Sequence, residues 1–406
     1  MKRYWKLMMI SLITVVVIGA YYTQASSAKK VGIGIEFEKV IGNEEELKDL
    51  IFYGDYAVGH MYQPLQITTE ETVNPYDRSF LEQLSPAIHS PIFNELIKEH
   101  KTFMRGKELV PNNFYEDENV LVYASFKGDF HDFSDRDVQF DIDILNKNSE
   151  ETVSIQADIP FLEKYNWMNM DDVVVIGNEL KLVVRGDRTE GGSDLKLYSF
   201  DMTEKQIVGN DEIVSTEVVD NGWTDMTIFN DLHSTINPQK YYVIKLDTYE
   251  AEEVYRDGYA VSHDGEAKVV KSEVLVYNIE KNEVKQWEIP EEMMESLHAA
   301  SIEQSSIYTY TVTDAGIEVS QYDFEKEEWG GKQTFDSKHS INNENPPFIK
   351  IMNEKIYIIS AVNSEHILLI GDLNSGKTLY EGKLMVTDQK ENPKGYRLYF
   401  NEIDSI

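Results

Sequence analysis

The sequence has no cysteine, which excludes disulfides, thiolate metal sites, a lipid-modified cysteine and thiol nucleophiles. It is also poor in basic residues. Lys and Arg number 38 against 72 Asp and Glu, a net charge of −34 spread along the chain without a long like-charge block. Such a surface repels phosphate polymers, which disfavours nucleic acid and anionic lipid as partners, while divalent cations and basic proteins fit. Signatures of catalysis are scarce as well. There is no G-x-S-x-G and no H-E-x-x-H, the nine His are scattered, and carboxylate pairs in so acidic a chain carry no information.

What is present is a folding composition: 406 residues, 41% apolar and 11% aromatic, with 24 Tyr. A chain this long that forgoes disulfides must rely on a large core. At the N-terminus, Lys2, Arg3 and Lys6 precede an uncharged run from Leu7 to Ala28, closed by Lys29 and Lys30. This pattern predicts export. The small residues Ala25 to Ala28 suit a signal-peptidase cut, and the run is also long enough to span a bilayer of roughly 30 Å. Residues 1–28 are therefore read as a signal peptide or a membrane anchor, with the remaining chain outside the cytoplasm in either case. Any membrane association would run through this segment alone.

Four stretches share one register: "LKLYSFDMTEKQI" from Leu195, "EVLVYNIEKNEV" from Glu273, "IEVSQYDFEKEEW" from Ile317 and "HILLIGDLNSGKT" from His366. Each reads as a strand ending in a turn at Asp201, Asn278, Asp323 or Asp372, followed by an apolar residue. A looser copy places Asn146 at the same turn. Asp and Asn suit it because their side chains cap nearby backbone amides. The intervals between these residues are 55, 77, 45 and 49, and further strand-like runs lie upstream of each copy. A unit of four short strands repeating every 45 to 50 residues predicts a β-propeller.

The last copy contains "GDLNSGKT", Gly371 to Thr378, which matches a phosphate-cradling loop. Such a loop needs a helix after its lysine and a parallel sheet around it. Here only 28 residues follow, and they continue as another strand. The octet is read as a hairpin turn in which Gly376 supplies positive φ.

The expected organisation is a polar lead-in over 29–46, strand-like runs over 47–72, a helical insertion near 78–104 with a short helix from about Ile92, and five blades over 105–160, 166–215, 222–290, 296–335 and 346–386. The tail "GYRLYFNEI" is a lone strand, and pairing it with 47–72 gives one propeller over 47–406. Six blades follow, or seven if residues 73–115 hold another.

Candidate sites are few. Trp167 and Trp223 open the first strands of two blades, where they either wedge between blades or grip a sugar or peptide. The loop around Asp132, Asp135 and Asp137 offers hard oxygen ligands for calcium. An insertion from Tyr249 to Val270, with Tyr255, Tyr259 and His263, is long for a hairpin loop and suits recognition. "RGD" at Arg185 to Asp187 reads as a hairpin turn. Together these features predict an extracytoplasmic propeller that binds an envelope protein or glycan without identified chemistry. The alternative is a calcium-dependent exported hydrolase of the propeller type.

Overall fold

The computed structural model describes residues 33–75, 91–128, 138–229, 239–250, 267–336, 346–362, 365–387 and 396–405, with isolated residues 5, 9, 14 and 236 and the pairs 255–256 and 259–260. The apolar run 7–28 otherwise lies outside these residues. No helix among the described residues is long and apolar enough to cross a membrane.

Among the described residues, six antiparallel sheets of four or five strands follow one another along the chain, the middle four as simple meanders, and together they form a six-bladed β-propeller. Blade 2 holds Phe114–Glu116, Val120–Lys127, Gln139–Asn146 and Thr152–Asp158. Blade 3 holds Tyr165–Ile176, Glu179–Arg188, Ser193–Asp201 and Gln206–Ser215. Blade 4 holds Gly222–Phe229, Tyr241–Glu250, Lys268–Asn278 and Glu283–Gln286. In blade 5, Ser301–Glu303, Ser306–Thr313 and Gly316–Asp323 are completed by two short pieces, Glu328–Trp329 and Gln333–Phe335. Blade 6 holds Phe348–Met352, Lys355–Val362, Glu365–Asp372 and Thr378–Thr387. The expected polar lead-in adds more than a linker, because Gly34–Gly42 pairs with Thr378–Thr387 as a fifth strand of blade 6. The insertion is helical over Pro91–Glu99 and Lys101–Met104, and Phe93, Leu96 and Phe103 pack on Phe114 and Tyr123 of blade 2.

Blade 1 joins the two ends of the chain. Leu50–Val58, Met61–Ile67 and Thr72–Val73 supply three strands, and Tyr396–Ser405 pairs with Leu50–Val58 in the first-strand position. Leu398 is buried while Arg397 and Tyr399 are exposed, the alternation a half-covered strand requires. The register slips between Tyr53 and Gly54, after which Ile403 takes over the buried side. Gly54 is needed there, because a Cβ would sit 2.3 Å from the carbonyl oxygen of Tyr399. On the neighbouring blade, His366 stacks near Tyr396, and its Nε2 accepts the Leu398 amide at 3.4 Å. Burial lowers the basicity of that imidazole, which keeps the acceptor nitrogen free of a proton.

The repeated turn has the chemistry the sequence predicts. The Oδ1 atoms of Asn146, Asp201, Asn278, Asp323 and Asp372 each accept backbone amides two or three residues on. Three of these carboxyls sit below the usual range: Asp201 chiefly through the Glu204 amide, Asp323 through Lys326 and Asp372 through Ser375. The next residue in each copy donates its amide to the loop between the first two strands of the blade, at Asn119, Asn178, Lys240, Ser305 or Glu354. Each turn is thus tied to its own blade's inner hairpin. Four residues after the Asp or Asn, the backbone turns left-handed at Glu150, Lys205, Asn282, Glu327 and Gly376, with φ between 52° and 67°. In blade 1, Thr68 takes the place of the Asp or Asn, its Oγ1 accepting the Glu70 and Glu71 amides.

The octet 371–378 is thereby accounted for without a nucleotide. The strand runs to Asp372 and the next begins at Thr378, with no helix after Lys377. Gly371 is small because a Cβ would lie 2.2 Å from the Phe335 ring of blade 5, and Gly376 holds the left-handed position.

The closing strand buries Leu398 and Ile403 fully and Tyr396 and Phe400 in part, and buried apolar side chains contribute roughly 1.5–3 kcal/mol each. Deleting 396–406 should therefore lower stability by several kcal/mol in urea unfolding, and Gly54→Ala should cost about 1–3 kcal/mol by overpacking the same seam. An unchanged midpoint in both would show that the strand does not close the ring. At the turn, a left-handed non-glycine residue costs roughly 1–2 kcal/mol, of which chain entropy returns part. Lys205→Gly should accordingly raise the melting temperature and Gly376→Ala lower it.

Candidate functional site

The strand order fixes which side chains can meet. In each blade the hairpin between the second and third strands, the end of the fourth strand and the start of the next first strand all lie at one end of the sheet. The repeated Asp/Asn turns lie at the other. We call the first end the upper face. The acidic loop, bounded by Lys127 and Gln139, and the insertion, bounded by Glu250 and Lys268, both leave from it.

Trp167 and Trp223 stand on this face, near the starts of Tyr165–Ile176 and Gly222–Phe229, and neither is wedged into the core: they are 46% and 40% exposed. Trp167 borders a cavity of about 540 Å³ with Arg105, Lys107, Tyr123, Asp141 and Asn169. One wall of that cavity is set by Lys107, which lies over the rings of Phe103 and Tyr123 and pairs with Asp143 at 2.5 Å. The helical insertion is thus clamped to blade 2 beside Trp167. Trp223 stacks on Tyr249 across the strand pair, with ring centres 5.2 Å apart and planes at 13°.

The exposed aromatic side chains of the described propeller are Tyr62, Phe161, Trp167, Trp223 and Tyr399. All five belong to upper-face segments. Phe161 lies in the connection into blade 3, and Tyr62 stacks with Tyr399 in blade 1.

The other expected site residues are placed only in part. The insertion is shorter than expected, since Tyr249, Val269 and Val270 belong to the regular strands of blade 4. Within it, Tyr255–Arg256 pairs with Tyr259–Ala260 as a small hairpin, and His263 lies outside the described residues. So do Asp132, Asp135 and Asp137. Among the described residues, no group of three His, Asp or Glu could hold a metal.

One reading is corrected. Arg185, Gly186 and Asp187 are not a turn but part of the strand Glu179–Arg188. Gly186 is required by packing, because a Cβ would lie 2.6 Å from the Tyr165 ring, and that ring in turn directs its hydroxyl to Asp194 at 2.8 Å.

Sequence reasoning also missed a set of polar clamps between blades 3 and 4. Asp171 is bulged out of register in the first strand of blade 3. It accepts from Arg185 Nε at 3.0 Å, and the same guanidinium donates to the Met226 carbonyl of blade 4. Its neighbour Asp172 accepts from the Tyr242 hydroxyl of blade 4 at 2.6 Å, and Lys181 Nζ donates to the Ile279 carbonyl at 2.9 Å. The legible signal was charge inside apolar strands, in "MDDVVVI" and "LKLVVRG". Burial pushes the Asp172 carboxyl up to about 7, outweighing the downward pull of the Tyr242 and Val173 hydrogen bonds. A second cavity, of about 630 Å³, opens between blades 4 and 5 at the lower face beside Lys240, Trp287 and Tyr322.

No family model matches the sequence, and no curated protein does. Among solved structures, the chain is similar to a GH43_1 enzyme from Xanthomonas citri complexed with xylose, at 11% identity and a TM-score of 0.25 over 68% of this chain and 86% of that one. It is also similar to TolB from Acinetobacter baumannii, at 8% identity and a TM-score of 0.22 over 88% and 80%. A prolyl endopeptidase gives 9% identity and a TM-score of 0.32 over 95% of this chain but only 55% of that one. Likeness at these scores carries no argument about activity.

The buried carboxyl gives a pH prediction. Between an unfolded value near 3.8 and a folded value of about 7, the native chain holds a proton that the unfolded chain has released. This contribution to stability therefore falls as pH rises through that window and is level above it. Asp172→Asn should gain on the parent protein from pH 4 to 7, at about 1.4 kcal/mol per pH unit, and hold that gain at pH 8. Parallel urea midpoints at all pH values would contradict this.

Proposed function

We propose that this protein is an extracytoplasmic propeller module that binds a protein or a glycan of the cell envelope through its upper face. The observation that carries the reading is the gathering of the exposed aromatic side chains on that face. Burying an aromatic ring contributes more than most side chains, and a protein face that carries several exposed rings offers a partner ready-made apolar contacts. Tyr and Trp also combine a large apolar surface with a polar edge, which suits both peptide and sugar recognition. Location outside the cytoplasm is supported by the basic-flanked apolar run 7–28 and is consistent with a fold free of cysteine.

The test uses the full chain and isolated envelopes of its source cells. The double variant Trp167→Ala, Trp223→Ala should lose at least about tenfold in envelope binding with an unchanged melting temperature, since exposed substitutions rarely move stability by more than about 0.5 kcal/mol. Ile41→Ser, at the opposite face, should bind as the parent does. Equal binding by all three would overturn the reading. A melting temperature that drops on calcium chelation would instead favour the hydrolase alternative built on Asp132, Asp135 and Asp137, and a native chain recovered soluble from the cytoplasm would end the assignment of location.

A further inference from the structure

We infer that the upper end of blade 4 is a docking surface for a basic, Arg- or Lys-bearing segment of a partner protein. The inference rests on the upper-face reading and narrows it from protein or glycan to one class. Three strands present a continuous row here, Trp223 opposite Tyr249 and Tyr249 opposite Val269. A register shift pushes Val270 out beside it, and the two valines are 51% and 52% exposed. Tyr249 covers one face of the Trp223 indole, and the tryptophan's 40% exposure leaves the rest of the ring open to a partner. Exposed Trp223, Val269 and Val270, with the half-buried Tyr249 between them, form one sheet face rather than scattered surface residues.

Charge selects the occupant. One step along the same side of the strands, Asp225 stands directly opposite Asp247, a like-charge pair that disfavours the sheet. Asp247 is compensated, by Lys245 Nζ at 2.8 Å and by the Ser272 hydroxyl at 2.5 Å. Asp225 is exposed and has no ion-pair partner among the described residues. Asp220, also exposed, precedes Trp223 by three residues. The nearby Lys271 is already paired with Glu273 at 2.7 Å, so it does not offset the excess.

An open indole face beside an unpaired carboxylate matches a guanidinium or ammonium group, which gains a cation–π contact from the ring and a charge-assisted hydrogen bond from the carboxylate. A neutral sugar could stack on the ring, but it would leave the Asp225 carboxylate uncompensated. The net charge of −34 adds long-range attraction for a basic partner.

The experiment titrates the full chain with a nine-residue peptide alternating Arg and Ser, its Glu/Ser counterpart, and neutral xylo- and chito-oligosaccharides. Trp223→Ala, Asp225→Asn and Trp167→Ala are measured beside the parent, with melting temperatures as the folding control. The Arg peptide should bind the parent. Its affinity should fall at least tenfold in Trp223→Ala and in Asp225→Asn, stay within twofold in Trp167→Ala, and weaken as salt is raised. Equal binding by every variant would mean diffuse attraction to an acidic surface and would overturn the inference. Oligosaccharide binding that depends on Trp223, without peptide binding, would overturn it while leaving the upper-face reading standing. If the upper-face variants also bind envelopes as the parent does, that broader reading falls with it.

Discussion

The structure depends on the pairing of Tyr396–Ser405 with Leu50–Val58. A propeller blade has two faces that need neighbours, so an unfinished ring leaves apolar area and strand edges exposed. Joining the chain's distant ends within one blade satisfies the first strand position and sets blade 1 against blade 6, where Phe52, Leu398 and Ile403 share a cluster with Tyr357, Leu368 and Tyr380. The contact is close enough to demand glycine at position 54. Without cysteine, no disulfide supports this seam, and packing carries it together with polar contacts such as Lys350 with Glu402 at 3.0 Å and the Leu398 amide with His366.

Elsewhere the blades are joined by continuous apolar clusters, one of which runs through blades 2, 3 and 4. The buried polar clamps between blades 3 and 4 add direction to that non-directional packing. Arg185 reaching the Met226 carbonyl, Tyr242 reaching Asp172 and Lys181 reaching the Ile279 carbonyl each demand one relative placement of the two sheets. Breaking one partner would leave a buried polar group unsatisfied, which costs more than the bond itself contributes. These clamps lie beneath the stretch of upper face that carries Trp167 and Trp223, so the candidate binding surface rests on a pair of blades held in register by buried polar contacts.

The two faces of the propeller have different chemistry. The lower hairpins are short, repeat one hydrogen-bonding scheme and are tied to the inner hairpins of their own blades. Regularity of that kind serves the fold. The upper segments differ from blade to blade in length and composition and carry the exposed aromatics, as expected where a rigid scaffold frees its loops for recognition.

By itself the sequence determined the repeat, its turn and its consequence. Asp or Asn at one position in five copies, an apolar residue after it and a fixed run to the next strand are local patterns, and the backbone obeys them locally. The four-strand period then left little choice but a propeller, and the orphan strand at the C-terminus pointed to its partner. Local pattern also sufficed to set aside the phosphate-loop match, because the residues after Lys377 alternate as a strand. Only the tertiary structure decided what lies opposite what. That Gly371 makes room for Phe335 of another blade and Gly186 for the Tyr165 ring, that Gly34–Gly42 adds to the last blade and that Asp172 meets Tyr242 are contacts between residues far apart in sequence or in different strands. Nothing in the flanking residues encodes them. The exposure of Trp167 and Trp223 is of the same kind: a tryptophan at the start of a strand looks alike in sequence whether a neighbouring blade covers it or leaves it open.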